Sequence, residues 1–315
     1  MRIVSLLPSA TEILFAVGAG DDVVGVTFEC DHPPEARTRR IVSTSALAEG
    51  LTLAEIDAAV SARMAAGEDL YHLDEGALAG LDADLVVTQD LCAVCAVDAA
   101  DVEAALDHLG CDGRVLTVAP GDLADVLASI RTLGAAVGAG AAAGRLVDGL
   151  EARLAAVRDR VAGARRPRTL VLEWTDPPYA PGHWVPDMVA AAGGEGVLGS
   201  AARRSERVTW EDVAAARPEV VVCAPCGLAL AAAAAGGRDL LGRGVLPAGA
   251  EVWAVDANAS WARPGPRLVD GVEALAGILH PGRAAPPPPD SAQILRRTPT
   301  TTPASVTSSS GTIGS

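Results

Sequence analysis

The chain has 315 residues, enough for two ordinary domains, and half of it is hydrophobic although only 3% is aromatic. The 25 basic residues against 40 acidic ones give a formal charge of −15, which argues against nucleic acid or an anionic membrane surface as partner. Six cysteines over this length are too few for a disulfide scaffold.

The first apolar run, Arg2–Leu7, is interrupted by Pro8 and Glu12, and no small-residue cleavage site follows. It therefore reads as strand, turn and helix rather than as an export signal, with Ser9-Ala10-Thr11-Glu12 as a capping box. On that reading the chain is cytoplasmic and its thiols are reduced. No charge-free apolar stretch of about 20 residues occurs, so no membrane insertion is expected. Further strand-like runs are Val23–Thr27, Arg40–Val42, Asp84–Thr88 and Arg114–Val118, with Ala-rich helical patterns such as Leu53–Ala66 and Ala99–Leu109 between them. Alternating helices and short apolar strands predict a parallel α/β sheet.

From Asp122 to Ala164 the pattern is helical, softly broken by glycines; its part Ala141–Ala162 would span about 33 Å at about 1.5 Å per residue. The strand–helix alternation then restarts with Thr169–Glu173, Val185–Ala192, Val220–Ala224, Glu251–Val255 and a closing helix Arg267–Leu279. The fold class is therefore α/β, with two Rossmann-like lobes, each holding a parallel sheet, joined by one long helix and enclosing a ligand cleft. The boundaries are 1–120 for the N-terminal lobe, 121–166 for the interlobe helix and 167–281 for the C-terminal lobe. Residues 282–315, rich in proline and then in threonine and serine, read as a disordered tail. The halves echo each other in Glu29-Cys30-Asp31-His32-Pro33-Pro34 and Glu173-Trp174-Thr175-Asp176-Pro177-Pro178.

In parallel α/β sheets ligands bind beyond the carboxyl ends of the strands, where loops and helix N-termini converge. The chain's scarce residue types fall there. Cys30 and His32 follow the second strand, and Cys92 and Cys95 the fourth. Trp174, His183 and Trp184 follow the first strand of the second half, Cys226 the next, and Trp261 with Arg263 the last. The spacing Cys92-Ala93-Val94-Cys95 lets both sulfurs face one metal or form a disulfide, while the bland alternative is two small packing residues. If the lobes close, Cys30 and Cys226 complete a four-thiolate set that suits zinc or an iron–sulfur centre; alone, each reads as a buried small residue. His183, held beside Trp184 between Pro181 and Pro186, is an alternative or additional metal ligand. Glu29 offers a carboxylate or caps a turn, and Arg263 would face an anionic group. No nucleophile–base pair stands at fixed spacing and no glycine loop cradles phosphate, so catalysis without a metal has no support.

The segment Arg2-Ile3-Val4-Ser5-Leu6-Leu7-Pro8-Ser9-Ala10-Thr11-Glu12 resembles the opening of the cobalamin- and iron-siderophore-type substrate-binding proteins of ABC importers. The likeness continues through Val24-Gly25-Val26, Leu81–Gln89 and Arg263-Pro264-Gly265-Pro266-Arg267-Leu268-Val269-Asp270-Gly271, and spans roughly residues 1–281. It implies a rigid interlobe helix, a ligand between the lobes and an ABC permease as partner. Glu29–Pro34, Cys92–Cys95 and His183–Trp184 look like a cobalamin-binding subgroup. The resemblance thus implies cobalamin or a related corrinoid, with Trp174, Trp184 and Trp261 packing on the macrocycle and His183 or a thiolate approaching the metal. Ser9, Glu29 and Arg263 join the ligand contacts. The opening departs from exported relatives in lacking a leader, which sets a second expectation: a cytoplasmic zinc or iron–sulfur protein using Cys30, Cys92, Cys95 and Cys226. A thiol–disulfide protein using Cys92 and Cys95 ranks third.

Overall fold

The computed structural model describes residues 1–48, 50–66, 68, 70–89 and 113–297. In the first lobe, strands β1 (Ile3–Ser5), β2 (Val23–Val26), β3 (Arg40–Ile41), β6 (Leu85–Gln89) and β7 (Arg114–Val118) form one parallel sheet in the order β3-β2-β1-β6-β7. Its central strands β1 and β6 are buried at every position because both faces are covered, as parallel sheets require. A small antiparallel pair, β4 (Ser43–Ser45) and β5 (Tyr71–Leu73), stands beside this sheet and carries helix α2 (Leu53–Ala66) between its strands. Helix α1 (Pro8–Ala16) follows β1, and α3 (Glu75–Leu78) precedes β6.

The second lobe repeats the plan. Strands β8 (Arg168–Leu172), β11 (Glu195–Gly196), β13 (Val220–Cys223), β14 (Glu251–Val255) and β15 (Ala292–Arg296) form a sheet in the order β11-β8-β13-β14-β15. All neighbours are parallel except β15, which runs antiparallel to β14. A second, antiparallel sheet is made by β9 (Trp174–Thr175), β10 (Pro178–Ala180) and β12 (Glu206–Arg207). The two echoing sequence segments both follow a strand and both contain a cis X–Pro bond, His32–Pro33 and Asp176–Pro177.

The lobes are joined by two helices, not one. Helix α4 (Leu123–Ala136) packs on α1 of the first lobe, and α5 (Gly140–Val161) packs on α6 (Val185–Ala191) and α10 (Leu268–Leu279) of the second. The chain turns between them at Gly138, whose φ of 74° lies in the left-handed region that glycine enters without a Cβ penalty. The two helices cross where Gly134 meets Ala143: a Cβ on Gly134 would come within 2.3 Å of the Ala143 methyl carbon. Arg153 on α5 fastens to Glu273 and Asp270 on α10 at 2.5–3.0 Å. Remaining helices of the second lobe are α7 (Trp210–Ala215), α8 (Leu230–Arg243) and α9 (Ala257–Ser260).

Two expectations are corrected. The tail is ordered as far as residue 297: β15 covers the edge of β14, Ala292 is buried, and Leu295 lies against Gly237. Composition misled because the apolar residues Ala292, Ile294 and Leu295 are few, yet they occur where a sheet edge needs a partner. The capping box is also absent. Helix α1 starts at Pro8 with Leu7 as its N-cap and no side-chain cap bond, so Ser9 and Glu12 lie inside the helix, both buried.

Candidate functional site

The loops at the carboxyl ends of the two sheets meet each other, and their meeting is built on charge. Glu12, on α1, is 3% exposed and its carboxylate accepts from both Arg263 (3.3 Å) and Arg267 (Nε, 3.0 Å). The Arg267 guanidinium makes a second contact with the same carboxylate, giving the bidentate geometry that arginine favours. Arg263 also donates to the Asp31 carboxylate at 2.5 Å and to the Glu29 carbonyl at 3.0 Å, and the Asn258 amide donates to Asp31 at 3.3 Å. Burial opposes ionisation of Asp31, yet the Arg263 guanidinium beside it holds the carboxyl below its ordinary range. The residues after β2 are thereby clamped to the loop before α10. Arg263, expected to face an anionic group, directs both terminal nitrogens to Glu12, Asp31 and Glu29. Ser9 is likewise a buried helix residue, 3% exposed, beneath that clamp.

On the first-lobe side the loop after β2 exposes Phe28, whose ring lies 6.0 Å from that of Tyr71. The Tyr71 hydroxyl donates to the Glu29 carboxylate at 3.2 Å. Burial raises the Glu29 carboxyl above its ordinary value, partly offset by the Tyr71 bond. An aromatic pair with a carboxylate bonded to one of its members thus stands beside the loop after β2. Neither Phe28 nor Tyr71 was singled out by sequence, although each belongs to a residue type present only twice in the chain.

On the second-lobe side, Trp174 is half-buried on β9, and its indole N–H lies 3.2 Å from the Leu53 carbonyl and 3.1 Å from the Asp176 carbonyl. Behind it, Glu173 is deeply set: Ser205 donates to its carboxylate, as does the Gly182 amide. Burial pushes the Glu173 carboxyl up to about 7, so its protonated form persists to near neutral pH. His183 adjoins this pair with a φ of 49°, its amide bonded to the Arg203 carbonyl at 2.6 Å and its ring 5.5 Å from that of Trp184. Its Nε2 is buried without a partner, and burial together with Arg204 lowers its pKa, which favours the neutral imidazole. Gly182 is required here, because a Cβ would come within 2.4 Å of the Arg203 carbonyl and the Ser205 amide.

Two other tryptophans expected at the ligand are core residues. Trp184, 6% exposed, heads α6 and donates its indole N–H to the Trp261 carbonyl at 2.7 Å; Trp261 is itself 2% exposed. They pin α6 to the loop after α9. Cys30 is 2% exposed, with Sγ 3.1 Å from the hydroxyls of both Thr11 and Thr27. Burial raises its thiol pKa above the ordinary value. Cys226 is exposed in the loop after β13, and its amide bonds the Glu173 carbonyl at 2.9 Å. Cys92 and Cys95 lie outside the described residues. Among the described residues no group of three or more His, Cys, Asp or Glu side chains is placed to hold a metal ion. A groove of about 470 Å³ lined by Arg165, Glu219, Trp253 and Arg297 opens at the opposite, amino end of the second-lobe strands, away from these loops.

Two α/β lobes joined by helices, with their loop-bearing ends facing one another, define a two-lobed ligand-binding protein. A family profile described as "Periplasmic binding protein" matches residues 3–239, and the chain belongs to that family. Solved structures agree over both lobes. A periplasmic heme-binding protein from Pseudomonas aeruginosa aligns at 20% identity with a TM-score of 0.67, covering 93% of this chain and 97% of that one. The periplasmic vitamin B12-binding protein BtuF of Vibrio cholerae aligns at 23% identity and a TM-score of 0.62, over 88% and 96%. The heme-binding protein RhuT from Roseiflexus sp. RS-1 aligns at 23% and 0.59, over 87% and 96%. No curated protein matches by sequence. Among the described residues no helix is long and apolar enough to cross a membrane.

Proposed function

We propose that the interlobe cleft holds a corrinoid, cobalamin or a close relative, as cargo. The observation that carries this reading is the state of the charges around the cleft. Arg263 and Arg267 are paired with Glu12 and Asp31, Arg207 with Asp57, and Arg243 with Asp176 and Asp239. Among the described residues the same loops also carry rings and acceptors: Phe28, Tyr71, Trp174, and the carboxyls of Glu29 and Glu173. A macrocycle rimmed by neutral amides suits such a lining, because amide N–H groups meet carboxyl and carbonyl oxygens while the ring packs on aromatic faces. Arg203 and Arg204, exposed beside His183, provide a cationic edge that fits the phosphate of a cobalamin and would also serve the propionates of a heme, so titration with each decides between the two. His183, with its neutral ring and unpartnered Nε2, supplies the donor nitrogen nearest this edge.

Titration with cyanocobalamin and, separately, with hemin tests the reading by tryptophan quenching and absorbance. Tighter binding of cyanocobalamin supports it; preference for hemin, or no response to cyanocobalamin, overturns it. Of the cysteines in the zinc or iron–sulfur set, Cys226 is exposed and Cys30 buried, and metal analysis after anaerobic purification tests that reading. Whether the chain works in the cytoplasm or outside it with an ABC permease is decided by cell fractionation and by co-purification with permease subunits.

A further inference from the structure

Helix α2 belongs to the first lobe by sequence, lying between β4 and β5, yet it is fastened to the second. The Asp57 carboxylate accepts from the Tyr179 hydroxyl at 3.0 Å and pairs with the Arg207 guanidinium. One turn earlier, the Leu53 carbonyl accepts from the Trp174 indole, and the Leu53 side chain lies 3.6 Å from the position of a Cβ on Gly236 of α8. No residue of α2 is fully buried. Its half-buried positions are Leu53, Ile56, Asp57, Ala59, Val60 and Arg63, of which Leu53, Ile56, Asp57 and Val60 follow the i, i+3, i+4, i+7 spacing of one helix face, while Ala54, Glu55, Ala58 and Ser61 are exposed. A helix face that is only half covered and is anchored to the opposite lobe through an exposed ion pair suits a movable cover, because such a contact is polar and reversible.

We propose that α2 is a strap across one side of the interlobe cleft, latched by Asp57 to Tyr179 and Arg207, that must release for ligand to enter or leave. The face carrying Leu53, Ile56 and Val60 covers the bound molecule from that side, so the occupant it accepts is an apolar ring surface. This rests on the reading of the cleft as the ligand site. The latch is separate from the Glu12–Arg263 clamp, so the strap opens while the lobes stay joined.

Hydrogen–deuterium exchange and stopped-flow binding test it on the intact chain. Asp57→Ala should speed amide exchange in residues 53–66 by about tenfold, the loss of a charge-assisted hydrogen bond, with exchange in α5 and α10 unchanged. Arg207→Ala, altering an exposed side chain, should do the same more weakly, and Asp57→Arg with Arg207→Asp should restore slow exchange. With cyanocobalamin as probe, Asp57→Ala should accelerate both association and dissociation, an effect that mere loss of structure would not produce on association. Unchanged exchange in α2, or slower association, overturns the strap. If neither cyanocobalamin nor hemin binds, exchange still decides: faster exchange confined to α2 supports the strap while the corrinoid reading falls.

Discussion

Glu12 shows what a single residue's neighbourhood decides. It reads locally as a helix cap, three residues after Ser9, but its partners Arg263 and Arg267 stand 251 and 255 positions away. Nothing within reach of a short motif announces such a pairing. Removing the carboxylate leaves two guanidiniums facing each other in a nearly closed site, so Glu12→Ala should lower stability by about 3 kcal/mol in urea denaturation. Glu173 gives a pH signature. Its pKa rises from 4.5 unfolded to about 7 folded, so the native state holds the extra proton across that window. Its contribution to stability is complete below about 4.5 and is lost as pH rises through about 7. His183, with a lowered pKa, acts oppositely: stability falls as pH drops below its unfolded value of 6.5. Glu173→Gln should therefore abolish the decline between those limits and leave the rise due to His183, measured as unfolding free energy against pH. The tryptophans divide in the same concrete way. If the cleft reading holds, Trp174→Phe should remove most of the quenching by cyanocobalamin, and Trp261→Phe should not. Position after a strand made all of them candidates, but only burial separates those facing the core from those facing the seam.

At the scale of elements the sequence was more legible. The central strands of both lobes, α2, α5 and α10 fall within a residue or two of their expected limits, because continuous apolar runs and helical spacing are local properties. What could not be read locally was the pairing of minor strands: β4 with β5, the β9-β10-β12 sheet, and β15 on β14. These are short, and their partners, not their composition, define them. Truncation after Ala284 should expose the β14 edge and the face of Gly237 that Leu295 covers, giving a less stable, aggregation-prone protein by light scattering and thermal melting. The α4–α5 crossing makes a sharper test. Gly134→Ala places a methyl against that of Ala143 and should cost about 1–3 kcal/mol, with Ala143→Gly in the same chain recovering part of the loss.

For the molecule as a whole, three sets of bonds between the lobes stand out among the described residues. One is the helix pair α4–α5 with its Arg153 and Leu123 contacts to the second lobe, another the Glu12–Arg263–Asp31 clamp, and the third the α2 strap. Of their ion pairs only the clamp's are heavily buried; the Arg153 pairs and the strap are exposed, but α5 is also held through its buried apolar face. Arg263 and Glu12 are 8% and 3% exposed, whereas Arg207 in the strap is 54% exposed. Mobile ions screen exposed pairs over about 8–10 Å at ordinary ionic strength and reach buried ones far less. Sodium chloride then becomes a selective key: raising it to about 1 M, where the Debye length falls to roughly 3 Å, should unfasten the strap while the lobes keep their mutual angle. Ligand exchange would quicken in brine, and the scattering profile of the protein would stay the same.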